Sequence, residues 1–441
     1  MKFFKRKKTL NNPPFCLFPF ISTRYSPDGS TAICSEGLKE IGPKEQFNTD
    51  SFDGVWNSKF MRDFRMRMIN NEYVDNCFSC YYGESQGYET KRMSYLNKHY
   101  ENCKHIVEDA YNNNGYLSTV PWHWEIRLSN LCNAQCVSCR PINSSKIASE
   151  TRHQLDNKLM PVDVRNDYRI YKETYDQPAE HEYFINNIWE NIEHIRLLEL
   201  HGGEPWAQPM LTSLLEDISK TEYAKQIEIK TFSNCSLLTE EKIKVLDKFK
   251  GGQFFCSIDG VGEEAEWVRY PLKWDAVSRG VKLVLNNLNS NWKVNTLTMS
   301  SIPNIYNIDH VFDFLLQTSK ECGSVAANTD NRLFLVHLPV SRPRFLSHDL
   351  LPYDMRLEIA DKLERFKGIE QMWGMAEEII DHLQTTDEEL AVREEKTLAE
   401  YKAFRTMQLE KFKAYYIYLD SVRNTNTLEL FPHLEFLSNM I

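Results

Sequence analysis

The sequence predicts an α/β protein centred on a partial (β/α)6, TIM-like barrel, with a cysteine-rich segment before it and a helical region after it. Three observations lead there. From about residue 120 to 340, short β-branched and aromatic runs alternate with stretches of helical apolar spacing. Glycine-bearing and polar motifs fall at the ends of those runs, where barrels of parallel strands carry their chemistry. Beyond Pro352 the strand-like runs stop and apolar residues recur every three or four positions. The expected division is therefore 1–118, 119–345 and 346–441.

Composition narrows the function. A chain of 441 residues exceeds one ordinary domain, since a barrel takes roughly 200 to 250. With 52 basic against 62 acidic residues, it is not built mainly to bind nucleic acid or an anionic membrane. The basic start Met1-Lys-Phe-Phe-Lys-Arg-Lys-Lys8 resembles a signal peptide, but Asn11-Asn-Pro-Pro14 falls where an apolar core would continue, so a solvated basic arm is expected. No apolar run approaches the roughly 18 residues of a membrane span, which points to a soluble, cytoplasmic protein. Eleven cysteines in such a chain point to metal or catalysis rather than disulfides.

In chain order, Cys16 and Cys34 flank two short strands joined at Ser26-Pro-Asp-Gly29, a turn sequence suited to a hairpin that brings the two thiols together. Trp56 to Met68 has helical spacing and leads to Cys77-Phe-Ser-Cys80. Two pairs of thiolates can then close on one metal site, either zinc held by four cysteines or an iron–sulfur cluster.

Barrel strands are expected at 124–129, 195–201, 226–233, 253–259, 293–299 and 333–337. After the first comes Cys132-x3-Cys136-x2-Cys139. Three thiolates on one loop can hold three irons of a [4Fe–4S] cube and leave the fourth open; with a histidine from elsewhere they can also hold zinc. Residues 141–193 are too many for one helix and predict a polar insertion. After the second strand stands His201-Gly-Gly-Glu-Pro205, whose glycines let the backbone approach a ligand and whose carboxylate can receive an ammonium group. Thr231-Phe-Ser-Asn234 and Cys256-Ser-Ile-Asp-Gly260 end the next two, their short polar side chains suited to ligand hydroxyls or to helix caps. Arg269 follows in Glu266-Trp-Val-Arg-Tyr270, placed for a ligand carboxylate or a surface ion pair. Cys235, Cys256 and Cys322 lack metal spacing and read as buried, inert thiols. Toward the C-terminus, 355–363 and 397–418 read as helices of a cap, with Phe404, Phe412, Tyr415 and Tyr416 on one packing stripe and 385–400 as a solvated face.

The cysteine loop after a strand, together with Gly202-Gly203-Glu204-Pro205 at the end of the next, resembles the signature of the radical S-adenosylmethionine (SAM) enzymes. The resemblance implies that Cys132, Cys136 and Cys139 hold a [4Fe–4S] cluster whose open iron binds SAM. It further implies that Gly202, Gly203 and Glu204 receive the SAM amino group, that Ser233, Asn234 and Ser257 lie near its ribose, and that Arg269 pairs with its carboxylate. The spacing of Cys16, Cys34, Cys77 and Cys80 resembles the twitch and SPASM modules, which implies a second, auxiliary [4Fe–4S] cluster; only Cys103 follows before the loop, as in the shorter twitch form. Two departures stand out: the module precedes the barrel, and Ser138 occupies a position where relatives often carry an aromatic residue near adenine. The implied activity is reductive cleavage of SAM to a 5′-deoxyadenosyl radical that takes hydrogen from a peptide or protein, with a donor such as flavodoxin or ferredoxin. The rival activity is dehydrogenation of a sugar-like alcohol. A zinc-binding or electron-transfer protein without turnover is the rival of another class. No catalytic acid or base is identifiable from the sequence.

Overall fold

The computed structural model describes residues 14–27, 29–35, 51–85, 89–175, 181–322, 333–340 and 342–439. The chain divides into two compact units, one of Met1–Ser129, Gln177–His201 and Gln226–Glu228, the other of Asn130–Asp176, Gly202–Lys225 and Ile229–Ile441. Both are α/β, and the strands include parallel and antiparallel pairs.

In the first unit the strand order is β2-β1-β3-β4, with β1 Ser22–Tyr25, β2 Thr31–Ala32, β3 His123–Ile126 and β4 Leu197–Leu200. The expected hairpin is present: β1 and β2 are antiparallel, and the turn closes with the Gly29 N–H donating to Ser26 O at 2.9 Å. Gly29 takes φ +78°, a left-handed conformation open to glycine at no steric cost. The hairpin is not separate from the sheet, however, because β1 also pairs in parallel with β3, from Ser22↔His123 to Tyr25↔Ile126. Helix α1, Lys59–Ile69, begins at Ser58, whose side chain accepts from the Met61 N–H, and turns Phe64 and Met68 inward. Helix α2, Lys91–Asn112, adds Cys103, Ile106 and Ala110 to the same core, which also holds Leu17, Phe18 and Ile21. The Arg65 guanidinium is fully buried there and donates to Pro19 O, Trp56 O, Gly115 O and Asn57 Oδ1.

The second unit carries the order β5-β6-β7-β8, with β5 Glu228–Ser233, β6 Gly251–Ser257, β7 Trp292–Ser300 and β8 Leu333–Pro339; the first residue of β5 belongs to the other unit. Strands β6, β7 and β8 are parallel. Between β6 and β7 runs helix α3, Trp274–Asn287, and between β7 and β8 helix α4, Ile308–Glu321, each burying a largely apolar face. All six strands expected from the alternation are present within a few residues of their expected bounds.

The C-terminal region is helical as expected and includes α5, Glu370–Leu383, and α6, Leu398–Arg423. Thr397 and Glu400 form a capping box at the start of α6. Phe412, Tyr415 and Tyr416 are buried on one side of it, whereas Phe404 packs with Leu390, Ala391 and Tyr401. The stretch expected to be a solvated face thus buries Leu390 and Ala391, because Asp387–Arg393 folds as its own short amphipathic helix. Among the described residues no helix is long and apolar enough to cross a membrane.

Candidate functional site

The loop of Cys132, Cys136 and Cys139 is fixed from several sides within the second unit. The Val137 N–H donates to Val268 O at 2.8 Å, the Ser144 hydroxyl to Ala134 O at 2.7 Å, and the Cys132 N–H to Ser145 Oγ at 3.2 Å. From the C-terminal cap, the Tyr415 hydroxyl donates to Val137 O at 3.0 Å, and Arg423 donates twice to Glu150 at 3.0 and 3.1 Å. Tyr415, on α6, thus holds the loop at Val137.

The Gly-Gly-Glu-Pro turn lies directly on this loop. The Glu204 N–H donates to Leu131 O at 2.9 Å. A Cβ on Gly203 would stand 2.4 Å from Leu131 O and 2.5 Å from Asn130 O, so only glycine allows the two backbones to meet this closely. The approach turns the Glu204 side chain inward, where it is 2 % exposed. Its Oε1 accepts from the Ser233 hydroxyl at 2.9 Å and the Trp206 N–H at 3.3 Å, and its Oε2 from the Asn234 N–H at 2.8 Å. Burial pushes its carboxyl up to about 6, against the opposing pull of those donors.

Ser233 and Asn234, at the end of β5, thus serve the glutamate and the cysteine loop: the Asn234 amide also donates to Asn133 Oδ1 at 2.8 Å. Ser257 is half-buried at the end of β6. Arg269 is buried; it pairs with Asp259 at 2.7 Å and points NH1 at Cys136 Sγ at 3.8 Å. It is not a surface ion pair. Asp259 in turn accepts from the Met299 N–H at 2.7 Å, which fixes the carboxylate that holds the arginine. The structure therefore gathers Gly203, Glu204, Ser233, Asn234 and the cysteine loop by direct hydrogen bonds or contact, and joins Arg269 to that loop at Cys136.

In the first unit Cys16 is buried, and Cys34, Cys77 and Cys80 act on its charge, but among the described residues the four do not converge as a ligand group. Burial, and then the proximity of the other thiols, pushes the Cys16 thiol well up; Cys77 rises to about 11.

The cofactor expectation is corrected here. Among the described residues, the groups of three or more ligating side chains that converge within 4.8 Å are His348, Asp349 and His382, and His123, Glu125 and Glu199; neither contains a cysteine. The two cysteine-ligated [4Fe–4S] clusters, and SAM bound on one of them, do not fit this arrangement. Cys132 Sγ accepts from the Ala134 N–H at 3.4 Å, Cys136 faces Arg269, and Cys139 lies 3.8 Å from Arg140 O. Cys132 and Cys136 also pack against Ala134, Leu272 and Val277. Burial raises the Cys132 thiol to about 11 and raises Cys136 as well.

Two polar groups were not singled out from the sequence. In the first unit Lys91 pairs with Glu125 and, at 3.2 Å, with Glu199; His123 and His201 each reach Glu199 at 3.0 Å. The signal was there, since His123 and Glu125, and likewise Glu199 and His201, are two apart and share strand faces. The histidines around Asp349 carry no such pattern.

No protein-family model matches the chain, and no curated protein does. Solved structures with partial likeness include native anSMEcpe with bound AdoMet and the Cp18Cys peptide, at 15% identity over 54% of this chain and 57% of that one, TM-score 0.34. Streptococcus suis SuiB bound to the precursor peptide SuiA matches at 14% identity over 72% and 60%, TM-score 0.37. TYW1 with a lysine–pyruvate adduct matches at 14% over 53% and 70%, TM-score 0.29. The chain spans less than two thirds of the first of these, and the likeness assigns it neither family nor activity.

Proposed function

We propose that the chain is an enzyme that binds SAM, with its active site in the second unit, where the Gly-Gly-Glu-Pro turn meets the loop of Cys132, Cys136 and Cys139. The observation that carries this reading is Glu204: a buried carboxylate held only by neutral donors, on a glycine turn packed against that loop. Such a group is a receptor for an ammonium-bearing ligand, because a cation there meets a fixed, desolvated anion. Arg269, beside Cys136, is the candidate for a ligand carboxylate, and Ser257 the candidate for a ligand hydroxyl. Cysteine-ligated clusters form no part of the proposal. As the sequence resemblance implies, the further substrate is a peptide or protein. In this reading 1–118 is an accessory module, 119–345 a partial barrel and 346–441 the cap.

The test is calorimetric titration of the full chain with SAM, beside Glu204→Gln, with thermal melts to show that the variant folds. One SAM bound, at least about tenfold more weakly in Glu204→Gln, is the expected result. No SAM bound by the unaltered chain overturns the reading. Unweakened binding in a folded Glu204→Gln removes the carboxylate from the site.

A further inference from the structure

Away from the cysteine loop, His348 and His382 flank Asp349 in the second unit, and His337 joins His348 through Ser300. His348 and Asp349 sit on the short turn His348–Leu350, His382 near the end of α5, His337 on β8, and Ser300 closes β7. His348 is completely buried, and its Nε2 has no hydrogen-bond partner. A ring nitrogen taken out of water and left unpaired costs on the order of 1–3 kcal/mol. Its direction is informative: Nε2 lies 3.9 Å from Asp349 Oδ1, and that same oxygen lies 2.8 Å from His382 Nε2.

The surrounding hydrogen bonds orient each group. Ser300 Oγ lies 3.0 Å from His348 Nδ1 and 2.6 Å from His337 Nε2. Both contacts are satisfied when His348 Nδ1–H donates to Ser300 and the Ser300 hydroxyl donates to His337, the tautomer that a metal ion on Nε2 requires. With its proton on Nδ1, His348 presents a bare lone pair at Nε2, in a place that offers no protein donor. Asp349 is likewise committed on one side only. Its Oδ2 accepts from Arg344 at 3.1 Å and from the Ser347 hydroxyl at 3.2 Å, which leaves Oδ1 toward the two imidazoles.

We propose that His348 Nε2, His382 Nε2 and Asp349 Oδ1 form a binding site for one first-row divalent transition-metal ion. Two imidazoles and a carboxylate oxygen are a donor set that suits zinc or ferrous iron and does not suit magnesium or calcium. Ser300 behind His348, and Arg344 with Ser347 behind Asp349, are the outer hydrogen bonds that aim such ligands. On binding, the ion takes the place of the proton shared between His382 and Asp349. The remaining coordination positions are left to water or a small oxygen or nitrogen ligand.

The test uses the full chain, stripped of metal and titrated anaerobically with Co2+, beside Asp349→Asn and His382→Gln; thermal melts show whether the variants fold. The expected result is one Co2+ bound with weak visible bands and no sulfur-to-cobalt charge-transfer band, and affinity at least about tenfold weaker in both variants. A chain in which Cys132, Cys136 and Cys139 are serine keeps this equivalent, which separates the site from the cysteine loop. X-ray absorption of the one-zinc form of the unaltered chain needs no variant: nitrogen and oxygen at about 2.0–2.1 Å support the site. Sulfur scattering at about 2.3 Å, no ion taken up, or unweakened binding in variants that fold overturns it.

Discussion

Replacing Glu204 by Gln isolates the cost of burying a carboxylate at the centre of the candidate site. In the folded chain burial lifts this carboxyl from 4.5 to about 6, while Asn234, Ser233 and Trp206 pull the other way through hydrogen bonds. At about 1.4 kcal/mol per pH unit, the rise corresponds to about 2 kcal/mol. A carboxyl whose folded value lies above its unfolded one binds its proton more tightly when folded. The stabilisation it contributes is therefore complete below 4.5 and is lost as pH rises through about 6. Glutamine does not titrate. The stability of the unaltered chain, measured relative to Glu204→Gln by denaturant unfolding, should thus fall by about 2 kcal/mol between about pH 4 and pH 7. Taking the difference between the two chains cancels the many other carboxylates. A difference that does not change with pH, or one that favours the unaltered chain as pH rises, refutes the reasoning.

Gly203→Ala places a Cβ 2.4 Å from Leu131 O, so the turn and the cysteine loop must separate; a loss of about 1–3 kcal/mol and a lower melting temperature are expected, and an unchanged melt counts against the close approach. Arg269→Met leaves the buried Asp259 carboxylate without its cation and should cost about 3–5 kcal/mol, read by denaturant unfolding; a variant as stable as the parent removes the ion pair as a structural element. Arg65→Met leaves Pro19 O, Trp56 O, Gly115 O and Asn57 Oδ1 without their donor and should destabilise the first unit by about 3 kcal/mol or more, followed by thermal unfolding; an unmoved midpoint contradicts it.

How much of this was legible depended on the distance over which each signal acts. Strand positions follow from local alternation, and β3 to β8 were readable because each run of β-branched and aromatic residues carries its own pattern. The Ser26 to Gly29 turn was readable for the same reason, but the parallel pairing of β1 with β3 was not, since it joins residues about a hundred positions apart. At the site, Gly203 and Glu204 stood out as a motif, yet the partners of Glu204 come from a different strand end. Ser233 and Asn234 were read as facing ligand hydroxyls or capping a helix, and their hydrogen bonds to Glu204 had no local signal. Arg269 was open between a ligand contact and a surface pair; burial beside Asp259 was not visible because helical position alone does not give depth. The cysteine spacings suggested clusters, but spacing says nothing about what packs around each thiol. The group at Asp349 joins four separate elements and had no local signal at all.

The two charges nearest the cysteine loop are handled in opposite ways, and the contrast indicates what the site lacks. Arg269 is buried with a formal counterion, Asp259, so its charge is already matched before anything binds. Glu204 takes its hydrogen bonds from neutral donors, and Arg269 acts on it only through space. A fixed anion with donors on both oxygens keeps its position without reorganisation, and its desolvation has been met during folding. An arriving ammonium group therefore meets a carboxylate that is oriented and short of positive charge, whereas an arriving carboxylate must share Arg269 with Asp259. The site is consequently better prepared for the cationic end of a ligand than for the anionic end. Affinity should depend more on the amino group of a bound molecule than on its carboxylate, an order that deamino and decarboxy analogues of one ligand can measure directly.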